Sequence, residues 1–224
     1  MTLRLNVPVE KIMRAEFEFW RPDGADVKDL KGILVLVPPS NSDGRCMLQY
    51  VAWQEFSKKH NLGMIGCYFR DGEINIAEQY ADAKVESGAA LIRAIETWNV
   101  SLPGLTNLKL YLWGFSAGGQ FAYEFNAYRP DKVGGFVANK GGIYYTALCS
   151  KEARENPGLF IYGKEDVPYR VSSIRGVYSV NKYVGADWII VGDPTGHTEG
   201  NSARWGRQFF SKILTTQEGE RASQ

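Results

Sequence analysis

Continuous apolar runs recur along the chain, and they predict a sheet of mostly parallel strands. Residues 12–20 alternate apolar with polar or charged side chains, which is the pattern of a half-buried edge strand. Residues 32–37 read Gly-Ile-Leu-Val-Leu-Val, as expected of a strand that is covered on both faces. Further apolar runs predict strands at 64–69, 110–115, 133–138, 158–163 and 187–191.

Between these strands, apolar residues recur at helical spacing, which predicts α-helices there. Helices are predicted at about 46–60, 85–98, 117–129, 145–155, 171–183 and 199–214. Gly63 is the expected C-cap of the first helix, and Pro130 ends the third. A polar loop is expected at 70–75 and a frayed tail at 215–224. The alternation predicts one α/β domain over residues 1–224, a mostly parallel sheet with helices on both faces. In such sheets, ligands bind at the carboxyl ends of the strands.

The stretch from Leu110 to Gly119 combines a predicted strand, a sharp turn and a helix that begins with small residues. Within it, Gly-Phe-Ser-Ala-Gly at 114–118 fits the Gly-x-Ser-x-Gly nucleophile elbow. A serine in a strained turn needs neighbours without side chains, and Gly114 and Gly118 provide that clearance. The free N–H groups at the start of the helix point at the same position. Ser116 is therefore the candidate nucleophile.

A serine hydroxyl needs a base to accept its proton, and the chain contains two histidines. His60 falls on the polar side of a predicted helix end and is expected to be a solvated cation there. His197 lies in Gly-Asp-Pro-Thr-Gly-His at 192–197, the loop that leaves the last predicted strand. Because that loop is at a carboxyl end, His197 is the candidate base.

The histidine in turn needs a carboxylate that orients its ring. Asp166 follows the strand at 158–163 and is the favoured candidate, with Glu165 as its nearest alternative. Asp193 would have to fold back on the histidine's own loop, and Asp131 lies at the wrong end of a strand.

The order Ser116, Asp166, His197 is the order expected of an α/β-hydrolase. The sequence resembles that superfamily from residue 12 to the final helix, and within it the small lidless bacterial esterases related to polyhydroxybutyrate depolymerases and feruloyl esterases. The likeness rests on Gly-Phe-Ser-Ala-Gly-Gly at 114–119, Gly-x-x-Asp at 163–166 and Gly-His at 196–197. The resemblance implies the α/β-hydrolase fold without a large lid, and hydrolysis of small or extended esters without a cofactor.

One departure from the family concerns the oxyanion hole. Where these enzymes commonly have His-Gly after the first buried strand, this chain has Pro38 and Pro39. Proline has no N–H to donate, so Ser40 is the expected second donor beside Ala117, with Asn41 as the alternative. If neither N–H points towards the oxyanion, the enzyme is expected to have very low activity.

Composition bears on which kinds of partner and which cellular location are expected. The 224 residues carry a formal net charge of +1, which gives no electrostatic footprint for nucleic acid or an anionic membrane. The sequence contains neither an apolar run of the roughly 18 residues that a membrane span needs nor the pattern of a signal peptide. A cytoplasmic protein is therefore expected, with a secreted protein whose signal has been removed as the alternative. Cys46, Cys67 and Cys149 suit free thiols rather than a metal site, although a bridge between Cys46 and Cys67 stays open.

The expected function is hydrolysis of a small-molecule ester through an acyl-enzyme. Two alternatives remain: an acyltransferase or thioesterase with the same three residues, or a binding protein on a hydrolase scaffold without turnover. The aromatics Phe69, Tyr144 and Tyr145 are expected to pack ordinarily, with a role in lining an acyl pocket as the alternative. The short segment between Lys140 and Gly158 has room for one small helix but not for a lid.

Overall fold

The computed structural model describes residues 2–71 and 78–222, with side chains to residue 216. Within these residues, eight strands form one sheet: β1 Thr2–Asn6, β2 Arg14–Trp20, β3 Gly32–Val37, β4 Leu62–Arg70, β5 Leu110–Phe115, β6 Val133–Asn139, β7 Gly158–Gly163 and β8 Trp188–Asp193. The described residues also form six α-helices: α1 Val51–His60, α2 Ser87–Asn99, α3 Ala117–Tyr128, α4 Lys151–Glu155, α5 Pro168–Tyr183 and α6 Ser202–Ala222. No helix of the described residues has the length and apolarity to cross a membrane.

The sheet order is β1-β2-β4-β3-β5-β6-β7-β8, and every pairing from β4 to β8 is parallel. β2 pairs antiparallel with both β1 and β4. The prediction that β2 is the edge strand is therefore wrong, because β1 covers it. β2 carries charged side chains, and an ion pair compensates the buried one. Glu18 of β2 is buried, and Arg4 of β1 donates to its carboxylate at 2.7 Å.

Strand alternation divides the core into two layers, one on each face of the sheet. On β3, Ile33, Val35 and Val37 contribute to the layer that includes the buried side chains of α2, α3 and α5. The intervening Leu34 and Leu36 pack in the other layer, with α1 and α6. The predicted fold class, a mostly parallel sheet with helices on both faces, is confirmed.

Several helix ends differ from the predicted ones. The segment predicted as one helix at 46–60 is a 3₁₀ helix at Gly44–Gln49 followed by α1, since Tyr50 between them has extended backbone angles. Asn61, not Gly63, ends α1 in a left-handed conformation, because Gly63 already belongs to β4. The last helix extends to Ala222, so it includes residues 215–222 of the tail for which fraying was predicted.

The connections at the carboxyl ends of the strands are short where the structure describes them. Between β6 and β7 the chain forms one short helix, as predicted, but α4 has five residues and begins at Lys151 rather than near residue 145. Most of the loop predicted at 70–75 lies outside the described residues. All three cysteines are free thiols: Cys67 and Cys149 are buried and Cys46 is exposed, so Cys46 and Cys67 are not bridged.

Candidate active site

Ser116 occupies the turn between β5 and α3 with φ 56° and ψ −120°, a strained conformation for a residue with a side chain. Its backbone N–H donates to the carbonyl of Asn139 at 2.8 Å, which ties the turn to the end of β6. A Cβ atom at Gly114 would lie 1.9 Å from the Gly118 carbonyl oxygen, and one at Gly118 would lie 2.1 Å from that of Val37. The turn is therefore possible only with glycine at both positions, as the motif predicts.

The three residues predicted to act together are brought together. His197 Nε2 is 3.0 Å from Ser116 Oγ, and His197 Nδ1 is 2.9 Å from Asp166 Oδ2. With the proton on Nδ1, the histidine donates to Asp166 and accepts from the serine hydroxyl. The Asp166 side chain is almost fully buried, and the ring of Phe115 packs against the imidazole at 5.2 Å between centroids. This arrangement has the geometry needed to remove the proton from Ser116.

The other carboxylates considered from sequence do not reach His197. Glu165 is an exposed turn residue, and Asp131 pairs with Arg129 at 2.7 Å on the surface. Asp193 is buried, but it pairs with Lys140 rather than with the histidine. Asp166 is therefore the acid that the fold places beside the imidazole.

His60 differs from its predicted state. The residue is buried, its Nε2 lies 2.9 Å from Ser211 Oγ of α6, and its ring packs against Phe56. The prediction of a solvated cation is wrong because α6 covers this end of α1. His60 packs in the layer between α1 and α6, and His197 is the histidine beside the nucleophile.

The residues predicted to form an oxyanion hole flank Ser116 from two elements. Ala117 begins α3, and Ser40 lines the same cleft as Ser116 and His197. Within the described chain, the backbone N–H of neither residue has a hydrogen-bond acceptor. The Asn41 N–H, by contrast, donates to the hydroxyl of Tyr80 at 3.2 Å. Ser40 is thus better placed than Asn41 to donate to a developing oxyanion.

Gly118 explains how the Ser40 loop reaches the nucleophile. A Cβ atom at Gly118 would also lie 2.6 Å from the Pro38 carbonyl oxygen, so the loop after β3 packs directly on the backbone of α3. The two prolines remove two N–H groups, yet they hold the chain so that the next residue borders the cleft.

A buried ion pair that the sequence analysis did not identify supports the histidine loop. Lys140 follows β6 and Asp193 ends β8; both side chains are fully buried, and their Nζ and Oδ2 atoms are 2.9 Å apart. Lys140 also donates to Thr195 Oγ1 and to the Thr198 carbonyl, each at 2.7 Å. The pair therefore fixes both ends of the segment that carries His197. A charged residue directly after a buried strand was the available signal, but its partner lies 53 residues away.

Glycine is also required where this loop meets β7. A Cβ atom at Gly163 would lie 2.6 Å from the Thr195 carbonyl oxygen and 2.7 Å from that of Gly196. The Gly163 position in the Gly-x-x-Asp motif therefore lets the histidine loop pack against the strand that precedes Asp166.

The cleft at the nucleophile has a volume of about 340 Å³. Its walls include Ser40, Glu78, Gln120 and Arg170. Phe69 lies in the core instead, Tyr144 is mostly buried against Tyr123, and Tyr145 donates its hydroxyl to the Glu78 carbonyl. These three aromatics are not among the residues that line the cleft, in agreement with ordinary packing. No group of three or more possible metal ligands is found in the part of the chain that the structure describes.

The fold resembles several solved structures although the sequence matches no family model and no curated protein. A fluorophosphonate-binding serine hydrolase of Staphylococcus aureus, FphF, has 15% identity and a TM-score of 0.63 over 96% of this chain and 98% of that one. The Pyrococcus furiosus esterase Pf2001 has 13% identity and a TM-score of 0.66, covering 96% and 93%. Poly(aspartic acid) hydrolase-1 from Sphingomonas sp. KT-1 has 15% identity and a TM-score of 0.66, covering 92% and 97%.

These similarities extend over nearly the whole length of each chain, so they concern the complete fold and not one motif. At such low identity they are informative about architecture alone. Together with the sheet order and the turn at Ser116, they establish that this chain has the α/β-hydrolase fold.

Proposed function

We propose that the protein is a serine carboxylic-ester hydrolase that acts through an acyl-enzyme. The observation that carries the proposal is the hydrogen-bonded series from Ser116 through His197 to Asp166, at 3.0 and 2.9 Å, on a serine held in a strained turn. The similar structures described as esterases and as a serine hydrolase support it.

In the proposed reaction, Ser116 Oγ attacks the ester carbonyl while His197 Nε2 takes the hydroxyl proton. Asp166 holds the Nδ1 tautomer and stabilises the imidazolium. The N–H groups of Ala117 and Ser40 donate to the oxyanion of the tetrahedral intermediate. His197 then protonates the leaving alcohol, and a water activated by the same histidine hydrolyses the acyl-enzyme. Every step uses a group of this chain or water, and no cofactor takes part.

The substrate is proposed to be a small or extended ester. The segment between β6 and β7 contributes only α4, so it supplies no large insertion to enclose a long acyl chain. We expect higher activity on acetyl esters than on long-chain triglycerides, and the opposite order would contradict this part of the proposal.

The experiment that tests the proposed function is covalent labelling by a fluorophosphonate probe, which reacts with activated serines. We expect the wild type to be labelled and Ser116→Ala to be unlabelled, with loss of hydrolysis of 4-nitrophenyl acetate. Ser42→Ala is the matched control, because Ser42 lines the same cleft but does not contact His197. An unlabelled wild type, or labelling that survives in Ser116→Ala, would refute the assignment.

Hydrolysis and acyl transfer are separated by the products. In the presence of competing alcohols or thiols, a hydrolase releases mainly the free acid. If the main product instead carries the acyl group on the added alcohol or thiol, the protein is an acyltransferase, and the proposed roles of Ser116 and His197 are unchanged.

A further inference from the structure

One wall of the cleft at Ser116 carries hydrogen-bond donors that have no acceptors. It consists of Gln120, Gly142 and Arg170, which we call the donor wall. Gln120 is only 3% exposed, and its Oε1 accepts the Gly142 N–H at 2.9 Å. That bond fixes the orientation of the amide, so Nε2 is the free end and a donor. In the described part of the chain, this buried Nε2 has no hydrogen-bond partner.

Arg170, in the first turn of α5, contributes a second set of donors. Its side chain is 23% exposed, and its buried Nε likewise has no hydrogen-bond partner among the described side chains and backbone groups. The nearest carboxylate oxygen, Asp166 Oδ1, is 3.6 Å away, which is too far for a hydrogen bond. The oxygens of Asp166 already accept from His197 and from the Val167 N–H. Asp166 thus supplies a counter-charge at ion-pair distance, but the Arg170 Nε–H still has no hydrogen-bond acceptor in the described part of the chain.

Gly142 joins these two side chains into one surface. Its N–H holds Gln120, and a Cβ atom placed on it would lie 2.6 Å from Arg170 Nη1. The guanidinium thus contacts the residue that fixes the amide, and all three border the cleft that contains Ser116 and His197. Glu78 also lines this cleft, yet it forms no ion pair with Arg170 within the described residues.

A buried guanidinium N–H and a buried amide N–H that lack acceptors are costly unless a ligand supplies one. A carboxylate fits this need, because its two oxygens accept from the planar fork of a guanidinium and from an amide at the same time. We propose that the donor wall is a subsite for a carboxylate of the substrate, so that the protein prefers esters that carry a negative charge. The inference rests on the proposed ester hydrolysis at Ser116.

The test compares two chromogenic esters that differ in the charge at the end of the acyl chain: the 4-nitrophenyl half-ester of adipic acid and 4-nitrophenyl hexanoate. We expect the wild type to favour the acidic ester by roughly tenfold to a hundredfold in kcat/KM, the effect of one charge-assisted hydrogen-bonded contact. Arg170→Gln should bring this ratio close to one, mainly through KM, while Arg170→Lys should retain part of it. The ratio is the readout, because Arg170 lies near Asp166 and its replacement can also change the rate on both esters.

Arg175→Gln is the matched control. Arg175 is on the same helix but is exposed and donates to the hydroxyl of Tyr162, so the preference should be unchanged. A wild type that hydrolyses hexanoate as well as or better than the acidic ester would overturn the subsite, and so would an unchanged ratio in Arg170→Gln.

A binding measurement separates failure of the subsite from failure of the proposed function. Ser116→Ala cannot form the acyl-enzyme, so titration calorimetry with adipate reports binding alone. Adipate should bind this variant and should bind at least tenfold more weakly when Arg170→Gln is added. Binding that is absent or independent of Arg170 would contradict the subsite even if ester hydrolysis is confirmed.

Discussion

Replacement of Lys140 by methionine tests whether a buried ion pair supports the histidine loop. The Lys140 and Asp193 side chains are both fully buried, and their charged atoms are 2.9 Å apart. Lys140→Met keeps a chain of similar length but leaves the Asp193 carboxylate without its counter-charge. Removing one partner of a buried pair costs about 3–5 kcal/mol, which is a large share of the stability of a domain of this size. Because Thr195 and Thr198 also lose their donor, we expect the loop that carries His197 to loosen and kcat to fall.

The assay is urea unfolding followed by tryptophan fluorescence, together with kcat on 4-nitrophenyl acetate. Lys151→Met is the control, since Lys151 and Glu155 form a surface pair 83% and 64% exposed, and pairs of this kind contribute only about 0.3–0.5 kcal/mol. Adding Asp193→Asn to Lys140→Met removes the stranded charge and should recover part of the loss. A loss below about 1 kcal/mol in Lys140→Met, or a double variant no more stable than the single one, would refute the reasoning.

The pH dependence of the same variant has a definite sign. Burial by itself would raise the pKa of Asp193, but the hydrogen bonds from Lys140 and Thr195 outweigh it and hold that pKa below its ordinary value. In the wild type, Asp193 therefore contributes stability above its unfolded pKa that is lost as pH falls through the folded pKa. In Lys140→Met, burial without the cation raises the pKa of Asp193, so the variant is least stable above that pKa. The stability difference between wild type and variant should shrink as pH is lowered, and a constant difference would contradict this account.

Two further pairs of variants, each a test and its control, examine the geometry around the nucleophile. Ser40→Pro removes the proposed oxyanion donor and should lower kcat about a hundredfold or more. Ser40→Ala keeps the backbone N–H and should retain most of the rate. Equal rates in the two variants would exclude the Ser40 N–H as an oxyanion donor. Gly118→Ala places a Cβ atom 2.1 Å from the Val37 carbonyl oxygen and should cost at least about 1–3 kcal/mol of stability and most of the activity. Gly176→Ala is the control: a Cβ atom at this position in α5 would have no other atom within 4 Å, so the substitution should stabilise the fold by about 0.4–1 kcal/mol. A Gly118→Ala variant as stable as Gly176→Ala would contradict the expected cost of the close contact.

Local sequence patterns determined most of the architecture. β3 and β7 begin and end at the predicted residues because a fully apolar run bounded by Pro38, or by the polar loop after Gly163, has few other possible structures. The elbow was equally readable, since a strained serine needs glycines at fixed offsets that depend only on neighbouring backbone. The choice of His197 followed from the small number of histidines and from its loop at a strand's carboxyl end.

The sequence pattern did not predict features that depend on which separate elements pack together. β2 looked like an edge strand because its alternation does not show that Thr2–Asn6 pairs alongside it. His60 looked solvated because nothing near it in sequence indicates that α6 covers it. β1 is the preceding strand and Ser211 of α6 lies 151 residues from His60, but in neither case does the periodicity of one element show which element packs beside it.

The site shows the same division. By itself, the sequence determined which residues could form a nucleophile, a base and an acid, because that chemistry requires few residue types and the chain offers few of them at the carboxyl ends of strands. Only the tertiary structure brought Ser116, Asp166 and His197 within hydrogen-bonding distance and revealed that Lys140 and Asp193 hold the histidine loop. It also placed Gln120 and Arg170 both against Gly142, and left Gln120 Nε2 and Arg170 Nε without hydrogen-bond acceptors among the described residues. Distances, burial and unsatisfied donors arise from packing between elements, and a linear pattern does not specify them.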